Sequence, residues 1–523
     1  MKYKIFLLLF IVTCAISSFA QSNKQPANSK NKFIDPGEAK EHFNHNNFLW
    51  AIPVYKQLLK QEPDNADYNY KLGMCYLNTN INKTLAIKYL EKASEKNKID
   101  KTILYNLGLS YQYASRFDEA IVTYKEYVKN VMGKDKEKGL HQIETCENGK
   151  EFIKHPQNIT WENLGKNINS EFPDYYPFVS ENENVLVFTT RRKDNLGGKV
   201  EVDGYFSSDI YISKKVNDVW GKPVNIGGPI NTRYDEQAVS LSPDGTSMIV
   251  YVDRIDSLGN IYEAKEKDKM FKKLVKLCAN VNSDFETSGS ISPDGNTIFF
   301  ASKREGGYGE TDLYMARKLP NGQWAKAQNL GKNINTTYKE DFPEIAPDGV
   351  TLYFSSQGHD GMGDFDLFKS VWNQEENTWS IPVNLGYPVN SVGEERSISF
   401  SKNNKVAYIS ALRPEGFGDL DIYKITFISG SELLLQNTVR TIDSAKTIDA
   451  VVSIINTADK GKDIEPLMYT PNHSTGKFIS YLTPGKYEIT ITSKGYKTYT
   501  KEFIVSEKTD EEDEIFKKFT LKK

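Results

Sequence analysis

Five acidic side chains recur at one fixed place relative to a tight turn that reads Ser-Pro-Asp-Gly in its clearest copies. Each acid stands six residues before the first residue of the turn, and in four of the five copies an arginine follows 18 residues after the acid. The acids are Asp174, Glu236, Glu286, Glu340 and Glu395, and the arginines are Arg192, Arg254, Arg304 and Arg413. Positions nearly symmetric about the turn of an antiparallel hairpin become cross-strand neighbours. We therefore predict one structural ion pair per copy, in preference to a cation-binding ring of carboxylates.

The fourth copy departs from this pattern. Glu340 has Gly358 where the other copies have arginine, and the segment that follows contains His359, Asp360 and Asp364. Carboxylate oxygens are ligands that hard cations prefer. The Gly-x-Gly of this segment recurs at the same place in two other copies, however, which favours a strand connector. We predict no metal site and treat Glu340, His359, Asp360 and Asp364 as candidate binding residues.

The sequence contains no pattern typical of a catalytic centre. Gly-x-Ser-x-Gly, His-Glu-x-x-His and phosphate-binding loop motifs do not occur in the 523 residues. The serine and aspartate residues of the turns are accounted for by turn geometry, because their side chains bond to nearby backbone N–H groups. We expect no enzyme activity and no cofactor.

The elements that must position these residues form a repeat of about 50 residues. A triplet of the form Asp/Asn-Ile/Leu-Tyr/Phe ends each copy, at intervals of 51, 52, 54 and 55 residues. Each copy holds four short β-rich runs between Gly-, Pro- and Asn-rich turns. The triplets begin at Asp209, Asn260, Asp312, Asp366 and Asp421. Four strands per copy at this period are typical of propeller blades, so we predict a five-bladed β-propeller over residues 157–430.

The last copy lacks an outer strand of its own, whereas one such strand, Trp161 to Gly165, precedes the first copy. We predict that this N-terminal strand completes the last blade. Closure of this kind removes the open strand edges that would otherwise pair with other chains.

Residues 36–155 carry a second repeat, of helical type. The pattern Leu-Gly-x-x-Tyr occurs at residues 72–76 and 107–111, which are 35 residues apart, a spacing typical of tetratricopeptide (TPR) hairpins. We predict TPR hairpins with small residues where paired helices approach closely, followed by a capping helix. Asn69 and Asn106 are candidate residues of a peptide-binding groove.

Residues 431–523 change to short alternating strands, typical of a small β-sandwich. The three parts together predict a multidomain protein, in which an α-helical domain precedes two all-β domains.

The first 20 residues have the layout of a cleavable secretory signal, with two lysines, an apolar run over residues 5–16 and Ala20 at the cleavage site. Lipidation at Cys14 is less favoured, because Thr13 replaces the small residue that usually precedes a lipidated cysteine. No other stretch is long and apolar enough to span a bilayer. The formal net charge of −3 argues against a nucleic-acid-binding surface.

Segments such as Thr475-Gly476-Lys477-Phe478 and residues 482–487 complete a resemblance that covers almost all of the chain beyond residue 20. With the helical hairpins and the turn repeat, they resemble PorE-like, OmpA-family envelope proteins of type IX secretion and gliding, which contain TPR, TolB-like propeller and carboxypeptidase-regulatory-like domains. A peptidoglycan-binding OmpA-like domain follows in that family, whereas the present sequence ends at Lys523. The resemblance therefore implies protein contacts rather than direct cell-wall anchoring.

We expect a non-catalytic, periplasmic, outer-membrane-associated scaffold. Its TPR groove and propeller face would bind envelope proteins, such as outer-membrane or type IX secretion components. The alternative hypothesis is a module that binds a glycan or a peptidoglycan fragment at the propeller mouth near Glu340 and His359. There Tyr175 and Tyr176 would stack on sugar rings, although aromatic side chains at such places more often pack between blades.

Overall fold

The computed structural model describes residues 35–96, 101–201, 203–254, 257–402, 404–428, 433–443, 448–462, 464–472, 475–506 and 514–523. The predicted signal peptide, residues 1–20, and the lipidation candidate Cys14 lie outside these ranges. No helix in the described ranges is long and apolar enough to cross a membrane.

Seven α-helices open the described chain, and each packs against the next. They are α1 (Pro36–Asn44), α2 (Phe48–Gln61), α3 (Ala66–Leu77), α4 (Ala86–Lys96), α5 (Lys101–Tyr113), α6 (Phe117–Lys129) and α7 (Gly133–Lys154), with a short 3-10 turn at Lys83–Leu85. A Cβ at Gly73 would lie 2.7 Å from Leu90 Cγ, and one at Gly108 would lie 2.6 Å from Tyr124 Cε1. Small residues therefore stand where paired helices approach closely, as the sequence predicts.

Five antiparallel sheets follow the helices. Sheet 1 contains β2 (Asp174–Val179), β3 (Val185–Thr190), β4 (Asp209–Val216), β5 (Val219–Trp220) and β6 (Val224–Asn225), and sheet 2 contains β7 (Asp235–Leu241), β8 (Ser247–Arg254), β9 (Ser257–Lys267) and β10 (Met270–Lys276). Sheet 3 contains β11 (Glu286–Ile291), β12 (Thr297–Ser302), β13 (Asp312–Arg317) and β14 (Gln328–Asn329). Sheet 4 contains β15 (Glu340–Ile345), β16 (Thr351–Ser356), β17 (Asp366–Asn373), β18 (Thr378–Trp379) and β19 (Val383–Asn384).

Sheet 5 joins the two ends of this region. It contains β20 (Ile398–Phe400), β21 (Val406–Ala411), β22 (Asp421–Phe427) and the N-terminal strand β1 (Ile159–Asn163). Strand β1 pairs antiparallel with β22, with Trp161 opposite Ile425. The predicted completion of the last copy by the N-terminal strand is thus confirmed.

The sheets follow one another in a series that returns to its start. A backbone N–H at the inner strand of one sheet donates to a carbonyl of the preceding sheet at four of the five junctions, and at the remaining one β11 packs against β7 and β9. The bonds are Asp174 to Leu420 (2.8 Å), Glu236 to Ser208 (3.1 Å), Glu340 to Thr311 (2.9 Å) and Glu395 to Phe365 (2.8 Å). The first of these links sheet 1 back to sheet 5.

In front of the first strand of each sheet, one asparagine forms hydrogen bonds to the backbone of the preceding sheet. For example, Asn335 Oδ1 accepts the N–H of Leu313 at 2.7 Å, and Asn335 Nδ2 donates to the Leu313 carbonyl at 3.0 Å. The same two-way contact is made by Asn169, Asn231, Asn282 and Asn390. Each amide side chain thereby supplies hydrogen-bond partners for a backbone N–H and a backbone C=O of the neighbouring strand residue, which would otherwise lack them.

Two further sheets end the chain and share one hydrophobic core. The first contains β23 (Leu433–Thr441), β26 (Lys477–Leu482) and β29 (Glu514–Leu521), and the second contains β24 (Ala450–Asn456), β25 (Leu467–Tyr469), β27 (Gly485–Ser493) and β28 (Tyr499–Val505). A 3-10 turn at Thr457–Asp459 follows β24.

Candidate functional site

The five repeated acids are buried and hold the loop in front of their own strand. Glu340 accepts hydrogen bonds from Thr336 N–H at 2.8 Å, Thr336 Oγ1 at 2.7 Å and Ser356 Oγ at 2.8 Å. Glu395 accepts from Ser391 N–H at 2.9 Å and Ser391 Oγ at 2.6 Å. The carboxylates therefore do not form a ligand-binding ring; they fix the backbone of the loop that enters each inner strand.

Two of the four predicted ion pairs are confirmed. Arg192 Nη2 lies 2.9 Å from Asp174 Oδ1, and Arg304 Nη2 lies 3.1 Å from Glu286 Oε1. Both acids are fully buried. Burial raises the pKa of Asp174, and the Arg192 guanidinium counters that rise.

The other two predictions, pairs of Glu236 with Arg254 and of Glu395 with Arg413, are wrong for the described side chains. The Arg254 guanidinium lies over the Tyr234 ring, 5.3 Å from its centroid. Arg413 lies over the Trp161 ring at 4.4 Å and donates to Glu415 at 2.6 Å. Without a cation beside them, burial raises the pKa of the acids, to about 7 in Glu236 and to about 8 in Glu395.

The register does not place the acid directly opposite its arginine. Asp174 is opposite Thr190 and Glu286 is opposite Ser302, so the cross-strand partner lies 16 residues after the acid, and not 18. Three of the arginines stand two residues beyond the end of their strand, and Arg254 is the last residue of β8. The direction that the arginine takes therefore differs from copy to copy.

His359 takes the place of the missing arginine in sheet 4. Arg304 Nη2 donates to the Val281 carbonyl at 2.6 Å, and His359 Nε2 donates to the corresponding carbonyl of Ile334 at 2.8 Å. The ring packs beside Phe368, with centroids 5.3 Å apart. Burial lowers the pKa of His359 to about 4, so the ring is neutral at pH 7. Glu340 and His359 are structural here, and the prediction that they lie at the propeller mouth is wrong.

The other predicted binding residues also have structural partners. Asp360 forms an ion pair with Lys477 of the C-terminal sheets at 3.2 Å, and Asp364 accepts a hydrogen bond from Gln357 at 2.5 Å. The buried Asn69 donates to the Pro63 carbonyl at 3.0 Å, and Asn106 donates to the Thr102 carbonyl at 2.9 Å. The prediction that these two asparagines line a groove is therefore wrong. In the described parts of the chain no cluster of His, Cys, Asp and Glu could hold a metal ion.

A cavity of about 550 Å³ lies where the inner strands of the five sheets meet. Its wall contains the residue that immediately follows each repeated acid, because successive side chains of a strand point to opposite faces. These residues are Tyr175, Gln237, Thr287, Asp341 and Arg396. Sequence analysis identified only Tyr175, together with its neighbour Tyr176. The signal that it missed is the position directly after the repeated acid, where every copy has a different residue.

The floor and rim of this mouth cavity come from different elements. Tyr176 and Phe342 meet with ring centroids 4.4 Å apart, and both have left-handed backbones, with φ of +52° and +46°. Such strain in bulky residues often accompanies functional sites. His45 and Asn46, both exposed, contribute to the rim from the loop between α1 and α2. The helical part of the chain thus borders the opening.

The mouth cavity holds more negative than positive charge. Five carboxylates and two arginines line it. Both arginines already form ion pairs, Arg191 with Asp203 and Arg396 with Glu394. The site can therefore bind and orient a ligand electrostatically.

No family model matches this sequence, and no curated protein matches it. Among solved structures, the chain is similar to a TolB-type protein from Agrobacterium tumefaciens, with 16% identity, coverage of 52% of this chain and 98% of that one, and a TM-score of 0.29. TolB from Acinetobacter baumannii has 15% identity and a TM-score of 0.33, and the match covers 57% of this chain and 70% of that one. A protein of unknown function from Dyadobacter fermentans has 10% identity and a TM-score of 0.31, and the match covers 48% of this chain and 75% of that one.

Proposed function

We propose that this protein is a non-catalytic scaffold or adaptor of the periplasm, associated with the outer membrane, that binds protein components of an envelope assembly such as type IX secretion or gliding machinery. Its modules are a TPR domain over residues 36–155, a closed five-bladed TolB-like propeller over 157–430 and a carboxypeptidase-regulatory-like sandwich over 431–523. The series of linked sheets that returns to its start supports the propeller.

The observation that carries this proposal is the junction segment, residues 357–363, where all three modules meet. From the helices, His141 Nε2 donates to the Gln357 carbonyl at 2.8 Å and Gln112 Nε2 donates to the Met362 carbonyl at 3.2 Å. From the C-terminal sheets, Lys477 reaches Asp360. A chain that fixes the relative positions of its modules presents several binding faces in one geometry, which is what a scaffold requires.

The same segment accounts for the one break in the acid and arginine pattern. A Cβ at Gly358, which stands where the other copies have arginine, would lie 2.0 Å from Thr336 Oγ1, so the backbone leaves no room for a side chain there. Asn148 donates to the Gly361 carbonyl at 3.3 Å. The unusual residues of the fourth copy thus serve contacts between modules, which supports an architectural role for them.

A second candidate function is glycan or peptidoglycan-fragment binding at the mouth cavity. The observation in its favour is that Tyr175, Tyr176, Tyr251 and Phe342 line that cavity beside carboxylates, a combination suited to sugar rings and hydroxyl groups. Saturable binding on a glycan array, abolished in Tyr175→Ala, would support it. A blank array removes it.

The scaffold proposal is tested by chemical cross-linking of a tagged chain in intact cells, followed by mass spectrometry and reconstitution from purified components. We expect one or more envelope proteins to be recovered in every replicate and to bind the purified chain directly. Failure to recover any repeatable partner, or recovery without direct binding, overturns the proposal.

A further inference from the structure

We propose that the mouth cavity binds the cationic side chain of a lysine or arginine that a partner protein presents on an extended segment. This inference rests on the proposed scaffold function and specifies the chemistry of one docking site. It is carried by three aspartates in the wall, Asp235, Asp253 and Asp341, for which the described part of the chain offers no ion-pair partner.

Two of the aspartates face each other directly. Asp235 on β7 is the cross-strand partner of Asp253 on β8, and like charges in that relation destabilise a sheet. Asp235 Oδ1 accepts from Ser208 N–H at 2.7 Å, whereas Asp253 makes no hydrogen bond to any residue that the structure describes. A cation placed between the two carboxylates would relieve this repulsion.

Asp341 supplies an independent observation. The side chain is 7% exposed, and Oδ1 accepts all of its described hydrogen bonds, from Thr287 Oγ1 at 2.7 Å, Ser288 Oγ at 2.6 Å and Phe342 N–H at 2.8 Å. Oδ2 has no described donor, although it belongs to a nearly enclosed carboxylate in the cavity wall. This oxygen is therefore available to a cation that enters the cavity.

The remaining wall favours a side chain over a free ion. Tyr251, Phe285 and Phe342 present aromatic rings to the same space, and ring faces attract ammonium and guanidinium groups. A volume of about 550 Å³ accommodates a long side chain with its adjoining backbone. The excess of carboxylates disfavours acidic peptides and anionic peptidoglycan fragments, and a neutral sugar would leave the repulsion in place.

The test uses the full chain and the peptide acetyl-Ala-Lys-Ala-Lys-Ala-amide, with an otherwise identical peptide that contains Nε-acetyl-lysine. We expect saturable, salt-sensitive binding of the lysine peptide by calorimetry, and at least tenfold weaker binding of the acetylated one. The variant Asp235→Asn/Asp253→Asn should lose at least tenfold in affinity. Asp218→Asn/Asp268→Asn is the matched control, because it removes two exposed aspartates from outer turns with positive φ.

Thermal unfolding separates a lost site from a lost fold. The Asp235→Asn/Asp253→Asn variant should unfold at a higher temperature than the parent, because it removes a like-charge pair. Equal affinity for both peptides, or unchanged affinity in that variant, overturns the inference. If the lysine peptide does not bind while cross-linking still recovers a partner, the cation site is wrong and the scaffold proposal stands. If cross-linking also recovers nothing, both fail.

Discussion

At the residue scale, the five repeated asparagines form hydrogen bonds to the backbone that a neighbouring strand would otherwise form. Asn335 satisfies both backbone groups of the buried Leu313. An orphaned buried N–H or C=O costs roughly 1–3 kcal/mol. These two hydrogen bonds therefore account for the asparagine found at this position in all five copies.

Asn335→Ala should lower the free energy of unfolding by about 2 kcal/mol, because it leaves two backbone groups of Leu313 without partners. Urea unfolding followed by circular dichroism measures the change. Asn321→Ala, in an exposed turn, is the control and should change stability by less than about 0.5 kcal/mol. Equal stability of the two variants would contradict a stabilising role for the Asn335 hydrogen bonds.

The buried Glu395 makes stability depend on pH. Burial raises its pKa to about 8 from an ordinary value of 4.5, so its contribution to stability is complete below about pH 4.5 and is lost as pH rises through about 8. Glu395→Gln removes this titration. Urea midpoints measured from pH 5 to pH 9 should fall less steeply in the variant than in the parent, whereas the exposed Glu376→Gln should follow the parent. Identical slopes for the parent and Glu395→Gln would contradict the assignment.

Sequence patterns reveal residues that repeat, and these proved to be structural. The acids at Asp174 and Glu340 were visible because every copy needs one, whereas Gln237 and Thr287 were hidden because each copy differs. Strand alternation alone places these varied residues on the face opposite to the acids. The sequence could not show which face lines the mouth cavity, because that depends on how the five sheets meet.

At the scale of elements, the closing strand β1 determines how the sheet region holds together. Its pairing with β22 leaves the fifth sheet with four strands, like the smallest of the others. The period and the missing outer strand made this predictable. The register of the inner hairpins was not predictable, because an irregularity between Tyr175 and Phe178, and its equivalents, shifts the pairing.

A disulfide tests the closure. Thr160 and Thr426 are direct partners across β1 and β22, so Thr160→Cys/Thr426→Cys, in a background with the exposed Cys278→Ser, should oxidise readily and stabilise the protein by about 2–4 kcal/mol. Non-reducing gels and thermal unfolding measure both effects. Thr160→Cys/Ser410→Cys, with its second cysteine on the non-adjacent β21, should not cross-link. Equal oxidation of both pairs would contradict the register.

At the scale of the whole molecule, the C-terminal sheets contact the rest of the chain through identifiable side chains. Lys477 pairs with Asp360, and the Tyr481 ring stacks on His155 with centroids 4.8 Å apart. Sequence analysis predicted a helical region followed by strand regions but not this junction, because contacts between segments far apart in the chain leave no local periodicity. It therefore assigned Asp360 to ligand binding.

Lys477→Ala/Tyr481→Ala should release the C-terminal sheets from the rest of the chain, because it removes both contacts. Calorimetry should then show an additional unfolding transition at lower temperature. Lys486→Ala, whose ion pair with Glu502 lies within the C-terminal sheets, should keep the parent profile. An unchanged profile in the double variant would show that the modules are held by other contacts.

The most direct measurement of the central claim, that the mouth cavity is a docking face for a protein, is site-specific photo-cross-linking in cells from the rim position Asn46. We predict that one envelope protein is captured in every replicate, that its capture is lost in Asp235→Asn/Asp253→Asn, and that it persists in Asp218→Asn/Asp268→Asn. Capture of no protein from this position, or capture that is unaffected by the loss of Asp235 and Asp253, would contradict the account.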